Sequence, residues 1–202
     1  MEYHVARRVD GNTNWLTVAV VVALLTGLWL AGPEVTAALR YERGAVLDGE
    51  WWRLLTGHLV HADAAHLAWN LAGAALVWWL FGAEYGRAEW AAILFASATA
   101  IDVAFLGAMP GLDWYVGLSG VLHGCMAAGL AAWLARARDP LVLAVAVLFA
   151  AKLGWEHWRG PLPFTAGTLE LPVIVEAHSY GALGGLAAAL VLLRARRGRP
   201  SL

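Results

Sequence analysis

The sequence predicts an all-α polytopic membrane protein: six transmembrane helices with an interfacial first loop, as one domain over residues 1–202. Three observations carry this. Hydrophobic residues make up 60% of the chain and charged residues 14%, with a mean hydropathy of +0.61. Soluble domains hold about 45–50% apolar and about 25% charged residues. Apolar runs of near-membrane length recur along the chain. Several of the twelve tryptophans, Trp15, Trp114, Trp133 and Trp155 among them, fall near the ends of these runs, where an interfacial belt would sit. A net charge of −1 with no basic stripe points away from nucleic acid. Cys125 is the single cysteine, so the chain forms no internal disulfide.

The polar tail Met1–Asn14 precedes the first apolar run, residues 15–31, which exceeds a signal-peptide core of roughly 7–15 residues and reads as a retained helix. Residues 32–65 mix charges with Trp51, Trp52, Leu54 and Leu55, a pattern suited to the membrane interface. The second span is 66–81 and the third 90–106, with Asp102 its one charged exception. A Gly/Pro-containing loop leads to the fourth span, 118–134. The sharp connector Arg136–Pro140 leads to a short fifth, 141–153. The polar stretch Gly154–Leu171 precedes the sixth, 173–193.

Six spans place both ends on one side. That side carries nine Lys/Arg residues and the other five, so both termini are expected in the cytoplasm. The compartment expected is the bacterial inner membrane.

Ionisable and amide side chains inside apolar spans are costly and mark candidate sites. His66 and Asn70 open the second span, Ser119 the fourth, and His178 lies in the sixth. This topology gathers all four at the outer, periplasmic ends of their helices. His66 and Asn70 are four apart and share a helical face, so both can aim donors at one point. With the Ser119 N–H they could hold the negative oxygen of a tetrahedral intermediate. Gly120 and Gly124 repeat at the spacing of Gly181 and Gly185, which would let the fourth and sixth helices approach closely. Such an approach brings Ser119 and His178 within hydrogen-bond reach. Each feature also has a structural reading: a small-residue packing seam, a serine bonded to a carbonyl, histidines that link helices. His58, His61 and His66 share no clean ligand face, so no metal or other cofactor is expected.

Three motifs in order resemble those of the rhomboid family of intramembrane serine proteases. Gly117-Leu118-Ser119-Gly120 is similar to its GxSG nucleophile motif. His178, Gly181 and Gly185 match its HxxGxxxG helix, and His61, His66 and Asn70 its HxxxxHxxxN pattern. Trp52-Arg53 resembles a Trp-Arg pair of its first loop. The resemblance implies a rhomboid-like bundle and a Ser119–His178 dyad without an acid partner. It also implies an oxyanion and substrate site at His66, Asn70 and Gly117, with His61 supporting the cavity and Gly181 the helix contact. The implied partner is a membrane-anchored protein with a single or C-terminal transmembrane segment, in the lipid bilayer.

One position departs from the family. His123 stands where most members carry tyrosine. Gly-Leu-Ser-Gly-Val-Leu-His-Gly resembles the rhombosortase branch, which implies substrates with a C-terminal Gly-Gly motif, apolar helix and basic tail. His123 is expected to orient His178 and set its neutral tautomer. The lid implied by analogy is the outer end of span five with Gly154–Leu171. Two other classes compete. A non-proteolytic, client-binding relative usually lacks the serine or the histidine. A transporter would carry a midplane site and an inverted repeat.

Overall fold

The computed structural model describes residues 11–136, 139–163 and 173–198. In chain order these form α1 (Gly11–Leu30), α2 (Pro33–Leu39), β1 (Tyr41–Glu42), α3 (Arg43–Leu47), α4 (Arg53–Thr56), α5 (Ala64–Phe81), α6 (Arg87–Gly107), β2 (Trp114–Tyr115), α7 (Ser119–Arg136), α8 (Pro140–Arg159) and α9 (Glu176–Arg197). The helices α5, α6, α8 and α9 are each long and apolar enough to cross a membrane. The pair Val18–Leu30 and Pro33–Leu39, bent by 111°, is a fifth candidate taken together. The bend follows from Gly32, whose φ of 96° ends α1, and from Pro33, which opens α2 with its φ already helical. The chain is therefore a helical membrane bundle.

At the centre lies α7, the expected fourth span, which is not among these candidates. Its buried face is mostly small: Gly120, Gly124, Ala127, Ala128, Gly129 and Ala132. A Cβ on Gly181 would collide with the Gly120 carbonyl, and one on Gly185 with the Gly124 carbonyl. The seam read from the glycine spacing thus exists between α7 and α9. On the α6 side, a Cβ on Gly124 would strike Ser97, whose Oγ is satisfied by Ile93 O at 2.7 Å. Close backbone approach replaces the hydrophobic driving force that lipid cannot supply between helices.

The expected interfacial segment is an ordered set of short elements. Arg53 is buried and ties it together, donating to Glu50 Oε2 at 2.5 Å and to the carbonyls of Ala37 and Arg40 at 2.9 Å each. Trp51 and Trp52 stay exposed, as interfacial tryptophans do. Antiparallel pairing of Tyr41 with Tyr115 joins this segment to the loop before α7. Arg43 clamps the end of α6 through Phe105 O at 2.7 Å and Leu106 O at 2.9 Å.

The fifth helix departs from expectation. It does not stop at residue 153 but runs to Arg159. The apolar run ends there in the sequence, yet Lys152 and Glu156 form an i,i+4 ion pair at 2.6 Å that carries the helix onward. Among the described residues of α8, Glu156 is the buried one, while Leu141, Val147, Leu148 and Trp158 are exposed. Much of the expected lid falls on residues 164–172, outside the described residues.

Candidate active site

The loop before α7 is held at several points. Gly117 N–H donates to Gly57 O at 2.9 Å, and Tyr115 Oη–H donates to Gly117 O at 2.8 Å. Burial pushes the Tyr115 hydroxyl up, so it remains a donor at neutral pH. Gly117 has φ of 113°, and a Cβ there would lie 2.5 Å from His66 Nε2. Glycine is therefore needed twice over, for the left-handed backbone and for the imidazole packed against it. Because its N–H is taken by Gly57, Gly117 shapes the pocket rather than donating into it. Changing Gly117 to alanine should displace the His66 ring and cost about 1–2 kcal/mol of backbone strain. A cleavage assay on the folded variant is expected to show a fall of about 10²-fold, the scale of one lost oxyanion donor. Activity equal to the parent would remove His66 from that role.

Ser119 is the first residue of α7, so its N–H has no partner within the helix and lies at the positive end of the helix dipole. Its Oγ lies 3.0 Å from His178 Nε2. His178 stands in the first turn of α9, brought there by the glycine seam. His66 and Asn70 occupy the first two turns of α5, whose N-cap Asp63 accepts from His66 N–H at 2.6 Å. Asn70 Nδ2 donates to His66 O at 3.1 Å. A cavity of about 480 Å³ is lined by His66, Asn70, Ser119, His123, Glu156 and His178, together with apolar groups. The residues expected from the sequence thus converge on one space.

His61 lies outside α5, buried, with its ring edge-on to His66 at 5.1 Å between centroids. Burial, with His66 beside it, pushes His61 down to about 4, so it is a neutral imidazole wall. His58 turns elsewhere, with Nε2 3.3 Å from Asp102 Oδ1. That contact partners the carboxylate of the third span.

His123 stacks on His178, with centroids 4.0 Å apart and planes 14° apart, and Phe149 covers its outer face. Its Nδ1–H donates to Ser119 O at 2.7 Å, one turn back, which leaves Nε2 as an acceptor for Lys152. His123 therefore packs on His178 through its ring face. It makes no bond that would set the tautomer. The group beside His178 Nδ1 is one the sequence reading did not select: Glu156 Oε2, at 2.9 Å. Expectation had no acid partner there. Lys152 and Glu156 were nonetheless visible as a charge pair four apart at the edge of an apolar run, a signal of inward-facing polar groups. His123, Glu156 and His178 also form a possible metal cluster, with ligand atoms within 4.8 Å of one another. Lys152 Nζ fills that space, 2.6 Å from Glu156 Oε2 and 3.3 Å from His178 Nδ1. The donor set suits an ammonium already in place better than a second cation.

The Rhomboid domain family model matches residues 48–195. Relatives include the rhomboid protease GlpG of Salmonella choleraesuis (strain SC-B67) and of Salmonella typhi. Each is 27% identical over 202 residues, covering 95% of this chain and 67% of theirs. The GlpG of Salmonella newport (strain SL254) matches to the same extent. The matched region runs from Asp48 into α9 and includes every site residue described above. The chain belongs to the rhomboid family and is a serine endopeptidase of the intramembrane type.

Proposed function

We propose that this chain cleaves a membrane-anchored protein with a Ser119–His178 dyad, and that its substrates carry the C-terminal Gly-Gly type of tail anchor handled by rhombosortases. The observation that carries the chemistry is the 3.0 Å contact between Ser119 Oγ and His178 Nε2. Ser119 Oγ attacks the scissile carbonyl carbon while its proton passes to His178 Nε2. The carbonyl oxygen becomes an oxyanion, held by the Ser119 N–H, His66 and Asn70. Collapse breaks the C–N bond as His178 returns the proton to the leaving amine. Water entering the cavity then repeats the sequence on the acyl-enzyme, with His178 again as base. Six spans put both termini in the cytoplasm and open the cavity to the periplasm. The support is the sign of the loop charges and the placement of the site at the N-terminal ends of α5, α7 and α9.

The rhombosortase assignment rests on His123, which packs on the catalytic base where most rhomboids carry tyrosine. Two reporters in proteoliposomes separate the branches: one with a Gly-Gly-tailed, basic-ended anchor, one with an ordinary single span. Cleavage of the first alone is expected. Cleavage of the second alone would make the chain a general rhomboid protease. Stable capture of both, with neither cleaved, would favour a client-binding role.

A further inference from the structure

We propose that Glu156, held by Lys152, is a positioning residue for His178, so that this chain operates a serine–histidine–glutamate relay closed into a ring by His123. The proposal rests on the Ser119–His178 reading and extends it.

The donors and acceptors around His178 can be assigned in turn. Ser119 Oγ–H faces His178 Nε2 at 3.0 Å, so that nitrogen is the acceptor and the ring proton sits on Nδ1. His178 Nδ1–H donates to Glu156 Oε2 at 2.9 Å. Lys152 Nζ–H donates to the same oxygen at 2.6 Å and also to His123 Nε2. His123 Nδ1–H donates to Ser119 O at 2.7 Å, which returns the ring to the residue where it began. Each imidazole is left with one tautomer, and each tautomer is the one the chemistry needs. The Lys152 contact to His178 Nδ1, 3.3 Å, is an approach of two donors, with Glu156 between their charges.

Two facts argue that this arrangement serves the site. Glu156 is the buried residue of α8, a helix whose apolar side chains are exposed or half-buried. A carboxylate in that position is expensive unless paired, and it is paired with a cation four residues back and with the base itself. When His178 takes the serine proton it becomes an imidazolium stacked 4.0 Å from His123 and near Lys152. Without Glu156 that positive charge would form beside an ammonium. With it, the new charge forms against a carboxylate already oriented toward Nδ1.

The test uses the full chain in detergent and follows labelling by a fluorophosphonate, which needs no knowledge of the substrate. Glu156→Gln keeps the shape and removes the charge. Its labelling rate at saturating probe should fall by about 10²-fold, the scale of general-base assistance, with half-saturation unchanged. Nitrogen NMR of the histidine rings should show His178 losing its fixed Nδ1–H form. Glu156→Asp should restore part of the rate. If Glu156→Gln fails to fold, the double variant Lys152→Met with Glu156→Gln removes both charges together and should lose rate by more than twofold but less than the single variant, because no ammonium then stands beside the imidazolium. A folded Glu156→Gln, or that double variant, labelling within twofold of the parent overturns the proposal. So does a purely structural effect, in which melting temperature falls while rate and tautomer stay put. Persistence of labelling in Ser119→Ala would instead overturn the nucleophile assignment, and the relay with it.

Discussion

Replacing Ser119 by alanine is expected to abolish fluorophosphonate labelling and substrate cleavage together, with the folded bundle retained. The side chain is small, and its hydroxyl faces His178 Nε2 at 3.0 Å. Its loss leaves no oxygen to phosphonylate. Replacing His178 by alanine leaves the hydroxyl but removes its base, and the rate should fall by about 10²–10⁴-fold. Gel fluorescence of parent and variants, with melting curves on the same samples, checks both. The two results must come as a pair. Labelling lost in Ser119→Ala but kept in His178→Ala would mean that another group activates the serine. A folded parent that never labels would move the client-binding reading ahead of the protease.

Gly185→Val is expected to unfold the bundle or lower its melting temperature more than any change at the site. The Gly185 Cα faces the Gly124 backbone so closely that even a Cβ would collide with the Gly124 carbonyl. Backbone cannot give way as a side-chain tip can, so α7 and α9 must separate. Overpacking costs about 1–3 kcal/mol in ordinary cores, and this contact lies at the upper end because both partners are main chain. Ser119 and His178 sit on these two helices, so activity should vanish at temperatures where secondary structure persists. Gly154→Ala is the control: it lies within α8 with nothing within 4 Å of an added Cβ. It should leave melting unchanged or raise it slightly, since alanine favours a helix interior over glycine by roughly 0.5–1 kcal/mol. Equal melting of Gly185→Val and the parent would refute the seam as the element that sets the Ser119–His178 distance.

Much of the site was legible because membrane chemistry makes polar residues conspicuous. Ser119, His66, Asn70 and His178 stood out against apolar runs, and alternation of helix direction placed them at one end. The glycine spacing of α7 and α9 was readable for the same reason, since repeated glycines in apolar helices have few uses besides close approach. Span ends were harder to read. Hydropathy falls at residue 153, so composition ends the fifth span there and places Glu156 in a loop. A buried carboxylate lowers a hydropathy average as an exposed one does, so composition alone has no means of telling which way it faces.

Gly117 shows the same limit in another form. Its place beside the serine was evident. That its N–H is committed to Gly57, and that its missing Cβ makes room for His66, depends on a contact between segments far apart in sequence.

By itself the sequence determined the class of fold and the polar residues proposed here as nucleophile, base and donors, because each is a residue type that an apolar span excludes unless it is used. Only the tertiary structure decided what lies behind the base. The tautomer of His178 is a question of which atom faces Nδ1, and the answer comes from α8, more than twenty residues away, where Glu156 turns inward and Lys152 anchors it. Hydrogen bonds are directional and short, so they are settled by the packing of helices and not by the order of residues along one.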